Sequence, residues 1–541
     1  MSAMTSSHWI PDGSGPPLLE DTTVGGRLRE VAGEVPERVA LVEGLPTPER
    51  RQWTYAELLA DAERCARCLL RHFEPGEHVA VWAHNLPEWV LLEYGAALAG
   101  LTLVTVNPSL QPAEAAYILA QSRAAGLFLV PDVRGNPLTA HIESIRAELP
   151  NLRHVLRLDL LDELVADNAG RDATLPTVHA DDPAQIQYTS GTTGFPKGVM
   201  LRHGSIVNNA RLWVGRVEIP DGAGMLLPMP LFHTAGCVMG VLGALDRRAK
   251  LVLMPMFEPG LFLELIELER TWYAGGVPTM LIAAMEHPDV SRRDLSSWKS
   301  AVAGGAQVPE ALVRRVEDSL GVDFTIIYGQ TECSPVITNG LPSDSAADKG
   351  LTVGKPLPHI EVRIVDPISL ETVPIGASGE LWARGFPMLG YFDMPEASAE
   401  TLTADGWVRT GDLATMDERG YCRIVGRLKD MIIRGGENLF PAEIEEVLYR
   451  HPAIAEATVV GLPDERWGEV VGAFIRPHDP AAPPTVAELR SHLRASLSPQ
   501  KTPTRWYAVD GYPLTGSGKI QKFAIREAWE KGEQAGHELD E

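Results

Sequence analysis

The strongest constraint on the fold is an alternation of short apolar runs and helical periods that occurs twice within the first 330 residues. HVAVWAH, around 79–84, reads as a strand, and PEWVLLEYGAALAG (87–100) has helical spacing. LTLVTV (101–106) is again strand-like, PAEAAYILAQSR (112–123) helical and AGLFLVP (125–131) strand-like. Continuous apolar runs of this length suit strands buried on both faces, and helices between them suit parallel βαβ crossovers. A second series follows with AKLVLMP (249–255), a helix near 260–270, WYAGGVP, SAVAGGAQ and FTIIYGQTE. In both series the strands run out into polar or glycine-rich loops, where α/β proteins place their ligands. The fold class predicted is α/β.

From about Ile360 the pattern tightens to strands and turns: EVRIVD, GELWARG, GWVRTGD and GYCRIVGR. The last stretch, 430–541, reads as a separate small α+β unit. DMIIRGG leads into a helix at Pro441–Arg450, then come strands at ATVVGLP and EVVGAFIRP and a helix near 486–497. About 110 residues suffice for an independent domain. The proline-rich patch at 477–485 reads as a surface loop, and no repeat of 20–50 residues is present.

Charge narrows the partners. With 48 Lys+Arg against 72 Asp+Glu, the net charge of −24 repels phosphate backbones and disfavours nucleic acid. A nucleotide substrate stays open, because it needs only a local arrangement of donors. The first residues, MSAMTSSHWIPDGSG, lack the basic and apolar regions of a secretory signal, and no apolar run could span a bilayer. Five cysteines are too sparse for a disulfide framework, so a reducing cytoplasm is the expected compartment. Cys65-x-x-Cys68 lies inside an apparent helix, Tyr55–Phe73, with no further ligands to complete a metal site, and reads as helix thiols.

The densest chemical signal is Tyr188-Thr-Ser-Gly-Thr-Thr-Gly-Phe-Pro-Lys-Gly198. Glycines let backbone N–H groups turn toward an anion, hydroxyls add donors and a lysine adds charge; together they can cradle a triphosphate. Lys197 follows Pro196 and Lys519 precedes Ile520, so neither belongs to a Walker A loop. G-x-S-x-G and a helix-opening G-x-G-x-x-G are also absent, against serine hydrolases of that type and simple dinucleotide enzymes.

Segment 188–198 resembles the phosphate-binding signature of the adenylate-forming superfamily, which includes acyl-CoA synthetases, aryl- and aminoacyl-adenylating enzymes and beetle luciferases. Four further motifs agree in order: Tyr328-Gly-Gln-Thr-Glu332; Thr410-Gly-Asp412; Gly426-Arg-Leu-Lys-Asp430 continuing to Gly435-Gly-Glu-Asn438 and Pro441-Ala-Glu-Ile-Glu445; and Pro513-Leu-Thr-Gly-Ser-Gly-Lys519. The resemblance spans the chain from about residue 50 and implies an adenylating body, 1–428, and a mobile C-terminal lid, 429–541, hinged at Lys429.

It also implies ATP, Mg²⁺ and coenzyme A, and a role for each matching residue. Thr189, Ser190, Gly191, Thr192, Thr193, Gly194 and Lys197 would hold phosphates. Thr331 would lie near the α-phosphate and Glu332 would be the Mg²⁺-associated acid. Tyr328 and the Gly304-Gly305-Ala306 turn would flank adenine, and Asp412 with Arg427 would hold the ribose. Lys519 would bridge carboxylate and ATP during adenylation. Gly435 and Gly436 would leave room for a narrow pantetheine passage, and His233 would lie beside the acyl carboxylate and gate that passage.

The acyl pocket is expected among Thr234, Gly236, Cys237, Gly240, Ala303, Cys333, Pro335 and Val336, which are mostly small or apolar. Beyond Glu332 no charged residue enters this set, and an amino-acid substrate would need an acid to pair its ammonium. A hydrophobic carboxylic acid is expected instead: fatty, arylalkyl or terpenoid-like. Four readings stand side by side here: an acyl-CoA ligase, an acyl transferase to a carrier-protein pantetheine, a luciferase-like oxygenase, and a relative that performs only one half-reaction. Homodimers are common among such enzymes, but no face for one is marked in the sequence.

Overall fold

The computed structural model describes every residue except 1–3, 14, 168–173, 190–195, 306–307, 309, 436, 515–519, 534–535 and 540–541. The chain groups into two compact units, a larger one of residues 9–362 and 383–409, and a smaller one of 1–8, 363–382 and 410–541.

In the larger unit the two predicted series become two separate sheets. The first series lies in a seven-stranded sheet ordered Gly390–Tyr391, Lys197–Arg202, Pro183–Thr189, Thr102–Val106, His78–Trp82, Gly126–Leu129, His154–Arg157. Its strands from Pro183–Thr189 to His154–Arg157 pair in parallel, and Lys197–Arg202 returns antiparallel. The second series forms the centre of a nine-stranded sheet, with Lys250–Leu253, Gly224–Leu227, Tyr273–Ala274, Ser300–Gly304 and Asp323–Gly329 pairing in parallel. Val39–Glu43 joins this second sheet beside Lys250–Leu253, although it precedes the whole first series. Local periodicity contains no information on so distant a pairing.

The helices follow from their patterning. Pro87–Leu98 is apolar almost all round and is buried along its entire length. Tyr55–Leu69 begins with a capping box between Thr54 and Glu57, and buries Cys65 and Cys68. It ends four residues short of the predicted Phe73. Under the second sheet, Phe262, Leu265, Ile266, Trp298, Val313 and Phe324 form a core that is nowhere more than a few per cent exposed.

Strands Gly379–Arg384, Val408–Met416 and Cys422–Arg427 are neighbours in one sheet, followed by a short turn at Leu428–Asp430. From Ile432 onward a separate sheet is built on the antiparallel pair Ile454–Asp464 and Gly468–Pro477. Adjacent residues of these strands alternate between two cores, Val459 and Ala473 in one, Val460 and Phe474 in the other. A sheet covered on both faces therefore gives the C-terminal segment its own interior. Among the described residues no helix is long and apolar enough to cross a membrane, and all five cysteines are free and buried.

Candidate active site

Strand Pro183–Thr189 delivers Thr189 to the start of the glycine-rich segment, and Lys197 pairs directly with Thr189 where the chain returns. Ser190, Gly191, Thr192, Thr193 and Gly194 lie outside the described residues. The two feet of the segment are held from helix Pro112–Gln121. Tyr117 donates to the carbonyl of Pro196 at 3.1 Å, and the Tyr188 hydroxyl bonds to Gln121 Oε1.

Across the second sheet, Gly304 pairs with Ile327, Tyr328 with Thr338, and Gly329 with Val336. This register brings Ala303, Gly304, Tyr328 and the turn Thr331–Cys333 to one sheet end. Ala306 lies outside the described residues, and Gly305 follows Gly304 directly. The buried Asn209 clamps Val336 on both backbone groups, accepting from its N–H at 3.0 Å and donating to its carbonyl at 2.8 Å. Cys333, Pro335, Val336, Ala303, Cys237 and Thr234 are all buried.

Glu332 has a partner that the sequence reading did not name. Tyr391 donates its hydroxyl to Glu332 Oε1 at 2.8 Å, and the Lys197 ammonium lies 4.8 Å from the centre of the same ring. Burial, aided by the Glu332 charge, pushes the Tyr391 phenol up, so it stays a donor. Tyr391 is placed by backbone pairing with Val199 at the sheet edge.

His233 follows strand Gly224–Leu227 in a loop fixed by the buried Asn85. That side chain donates to the carbonyls of Met229 and Met254 at 2.9 and 3.0 Å and accepts from Leu231 N–H at 2.8 Å. Asn85 was also missed, since its partners are 144 to 169 residues away. His233 Nδ1 accepts from Ala235 N–H at 3.1 Å, which leaves Nε2 to hold the hydrogen of the neutral ring. Gly236 is the second residue of a π-helical segment, Ala235–Leu242, and a side chain there would put Cβ 2.2 Å from the Pro230 carbonyl. Such widened turns are frequent at functional sites.

The smaller unit holds the other predicted contacts. Asp412 and Arg427 are cross-strand partners, with Arg427 Nε 2.8 Å from Asp412 Oδ1. Asp412 is 3% exposed, and its own N–H donates to Thr410 Oγ1 at 3.1 Å. Lys429 is exposed on the turn Leu428–Asp430. Gly435 adopts a φ of +59°, donates to the Trp467 carbonyl at 2.8 Å, and would press any Cβ to 2.8 Å from the Trp467 ring. Trp467 is 41% exposed, with the Arg434 and Arg466 guanidinium groups 5.5 and 5.0 Å from its ring centre. Gly436 and Lys519 lie outside the described residues; Leu514 and Ile520, on either side of 515–519, form an antiparallel bridge.

Among the described residues no cluster of three or more His, Cys, Asp or Glu could hold a metal unaided. One hard carboxylate, Glu332, suits Mg²⁺ if phosphate oxygens and water complete its shell.

This arrangement, a glycine-rich segment on an α/β sheet with an acid and a lysine near it and a second acid–arginine pair elsewhere, belongs to nucleotide-using α/β enzymes. The AMP-binding enzyme profile matches residues 28–392, and the AMP-binding enzyme C-terminal domain matches 443–519. The chain belongs to this adenylate-forming enzyme family. It is 38% identical to the putative acyl-CoA synthetase YngI of Bacillus subtilis (strain 168), covering 94% of this chain and 97% of that one. It is 37% identical to the mitochondrial medium-chain acyl-CoA ligase ACSF2 of Homo sapiens, covering 95% and 88%. Among solved structures, the anthranilate CoA ligase AuaEII in complex with anthranoyl-AMP superposes with a TM-score of 0.84 at 27% identity, covering 96% and 98%. The Mycobacterium tuberculosis fatty acyl CoA synthetase gives 0.76 at 30%, covering 94% and 99%.

Proposed function

We propose that the protein activates a hydrophobic carboxylic acid with ATP and passes the acyl group to coenzyme A. The observation that supports this best is the Lys197–Tyr391–Glu332 group, a cation and an acid ordered by one tyrosine, in a unit whose expected acyl-pocket residues are buried and uncharged. Relatives named as acyl-CoA synthetases and ligases along nearly the whole chain support the same reading.

In the first step a carboxylate oxygen of the acid attacks the α-phosphorus of ATP, the bond to the bridging oxygen breaks, and pyrophosphate leaves. Lys519 and Lys197 offset the charge that develops on the phosphates. Mg²⁺, held at Glu332, would supply a Lewis acid to the phosphate oxygens. Asp412, oriented by Arg427, accepts from the ribose hydroxyls, and Tyr328 lies along adenine. His233 Nε2–H donates to the acid's second carboxylate oxygen. In the second step the thiol sulfur of coenzyme A attacks the acyl carbon and AMP leaves. Movement of 429–541 about Lys429 withdraws Lys519 and brings in the Gly435–Gly436 loop. The five buried free thiols suit a reducing compartment.

Pyrophosphate exchange measured over a panel of hydrophobic acids, followed by addition of coenzyme A and detection of acyl-CoA, tests both steps. Exchange with no acid in the panel would overturn the reading. Exchange without acyl-CoA, but with loading of a phosphopantetheinyl carrier protein, would replace the acceptor. Oxygen-dependent light would place the protein with the luciferases.

A further inference from the structure

A chain of buried polar side chains in the larger unit has no part in the steps above. Glu93, 2% exposed, is the one acid of the otherwise apolar inner part of helix Pro87–Leu98. Its Oε1 accepts from Gln185 Nε2 at 2.7 Å, and Gln185 Oε1 accepts from Gln187 Nε2 at 2.9 Å. The same Gln187 nitrogen reaches Cys237 Sγ at 3.0 Å, and Thr105 donates to Gln187 Oε1 at 3.3 Å. The Cys237 thiol lies 3.4 Å from Gln185 Oε1 and 3.4 Å from the His233 carbonyl. Glu93 Oε2 is buried with no partner.

An ionised carboxylate there would have no cation beside it, at a cost of several kcal/mol. Burial accordingly pushes the Glu93 carboxyl well up, which favours its uncharged form. A neutral acid and two amides could be replaced in a core by apolar groups at little loss of stability, whereas as a hydrogen-bonded chain they fix geometry. What this chain fixes is specific. Gln185 and Gln187 lie on the strand that ends at Thr189, and Cys237 lies in the widened turn that follows His233.

We propose that Glu93, Gln185 and Gln187 are positioning residues for the acid-binding end of the site. They hold Cys237 and the His233 backbone in register with the phosphate-binding strand, and thereby set affinity and shape preference for the acid rather than for ATP. This rests on the acyl-activation reading, which assigns Cys237 and His233 to the acid.

The test uses the full-length enzyme and acids of graded chain length, with KM for acid and for ATP measured separately by pyrophosphate exchange. In Gln187→Leu and Glu93→Leu the acid KM should rise roughly tenfold or more and the preferred chain length should move, with ATP KM changing less than about twofold. Glu93→Gln keeps shape and the acceptor for Gln185, and should restore both readouts to near wild type. Cys237→Ser, which keeps a donor and an acceptor at nearly constant volume, should leave the chain-length preference close to wild type, whereas Cys237→Ala, which removes both, should shift it. Acid and ATP KM rising together, an unchanged chain-length profile, or Glu93→Gln behaving like Glu93→Leu would each overturn the positioning role. Wild-type enzyme without acid-dependent exchange would instead overturn the acyl-activation reading itself.

Discussion

Tyr391 joins Glu332 to Lys197, giving its hydroxyl to the acid and its ring face to the cation. A hydrogen bond to a charged group contributes about 1.5–3 kcal/mol, enough to decide how a carboxylate is aimed. Tyr391→Phe keeps the ring and removes the donor. The adenylation rate should fall roughly 10- to 100-fold, with the melting temperature nearly constant. Pyrophosphate exchange and calorimetry check this, and an unchanged rate would show that Glu332 needs no such aim.

The two half-reactions should separate genetically. Lys519→Ala is expected to suppress adenylation far more than thioester formation from a supplied acyl-adenylate. Gly436→Leu should do the reverse, by filling the passage for pantetheine. Single-turnover assays of each step read the ratio directly, and equal losses in both steps would remove the assigned roles.

Asp412 is buried and paired, so its substitution tests the nucleotide end alone. Asp412→Asn keeps volume and removes the charge that holds Arg427 at 2.8 Å. ATP KM should rise roughly tenfold or more while acid KM stays within about twofold. Steady-state kinetics with each substrate varied in turn provides the comparison.

Acid sensitivity should trace partly to His203. The Val24 N–H donates to its Nδ1 at 3.4 Å, its Nε2 is buried without a partner, and burial pushes its pKa down to about 4. The unfolded chain protonates this group below about pH 6.5 while the native state does not, so stability is complete above that pH. It is lost progressively as pH falls toward 4, by about 3 kcal/mol over the whole window. His203→Asn should flatten the dependence of the urea midpoint on pH between about 7 and 5 relative to wild type. Parallel curves for the two proteins would assign the acid sensitivity elsewhere.

Local patterning revealed most of the strands and helices, because burial on both faces leaves uninterrupted apolar runs such as LTLVTV. It could not show which strands share a sheet: Val39–Glu43 pairs with Lys250–Leu253 through backbone groups that every residue possesses. The C-terminal strands proved longer than ATVVGLP and EVVGAFIRP, reaching Ile454–Asp464 and Gly468–Pro477, because backbone pairing continues through the polar Glu456 and Asp464. At the site, Asp412 and Arg427 carry motif signals, but their ion pair arises from strand register, which the motifs do not state. Tyr391 and Asn85 were not legible, since their roles arise from contacts with distant segments. Glu93 did leave a trace: it is an acid set in the apolar run WVLLEYGAAL, where burial calls for a polar partner such as Gln185.

The Asp412–Arg427 pair has an electrostatic consequence for the proposed substrate. ATP arrives as a polyanion at a protein that bears 24 more acidic than basic residues. A bare carboxylate at the ribose would repel it, but Arg427 turns Asp412 into a dipole whose field fades quickly with distance. In its proposed role Asp412 would read the ribose hydroxyls at contact range while adding little long-range repulsion to the incoming triphosphate. Asp412 should therefore add little to the ionic-strength dependence of nucleotide capture, which is left to the net charge of the protein.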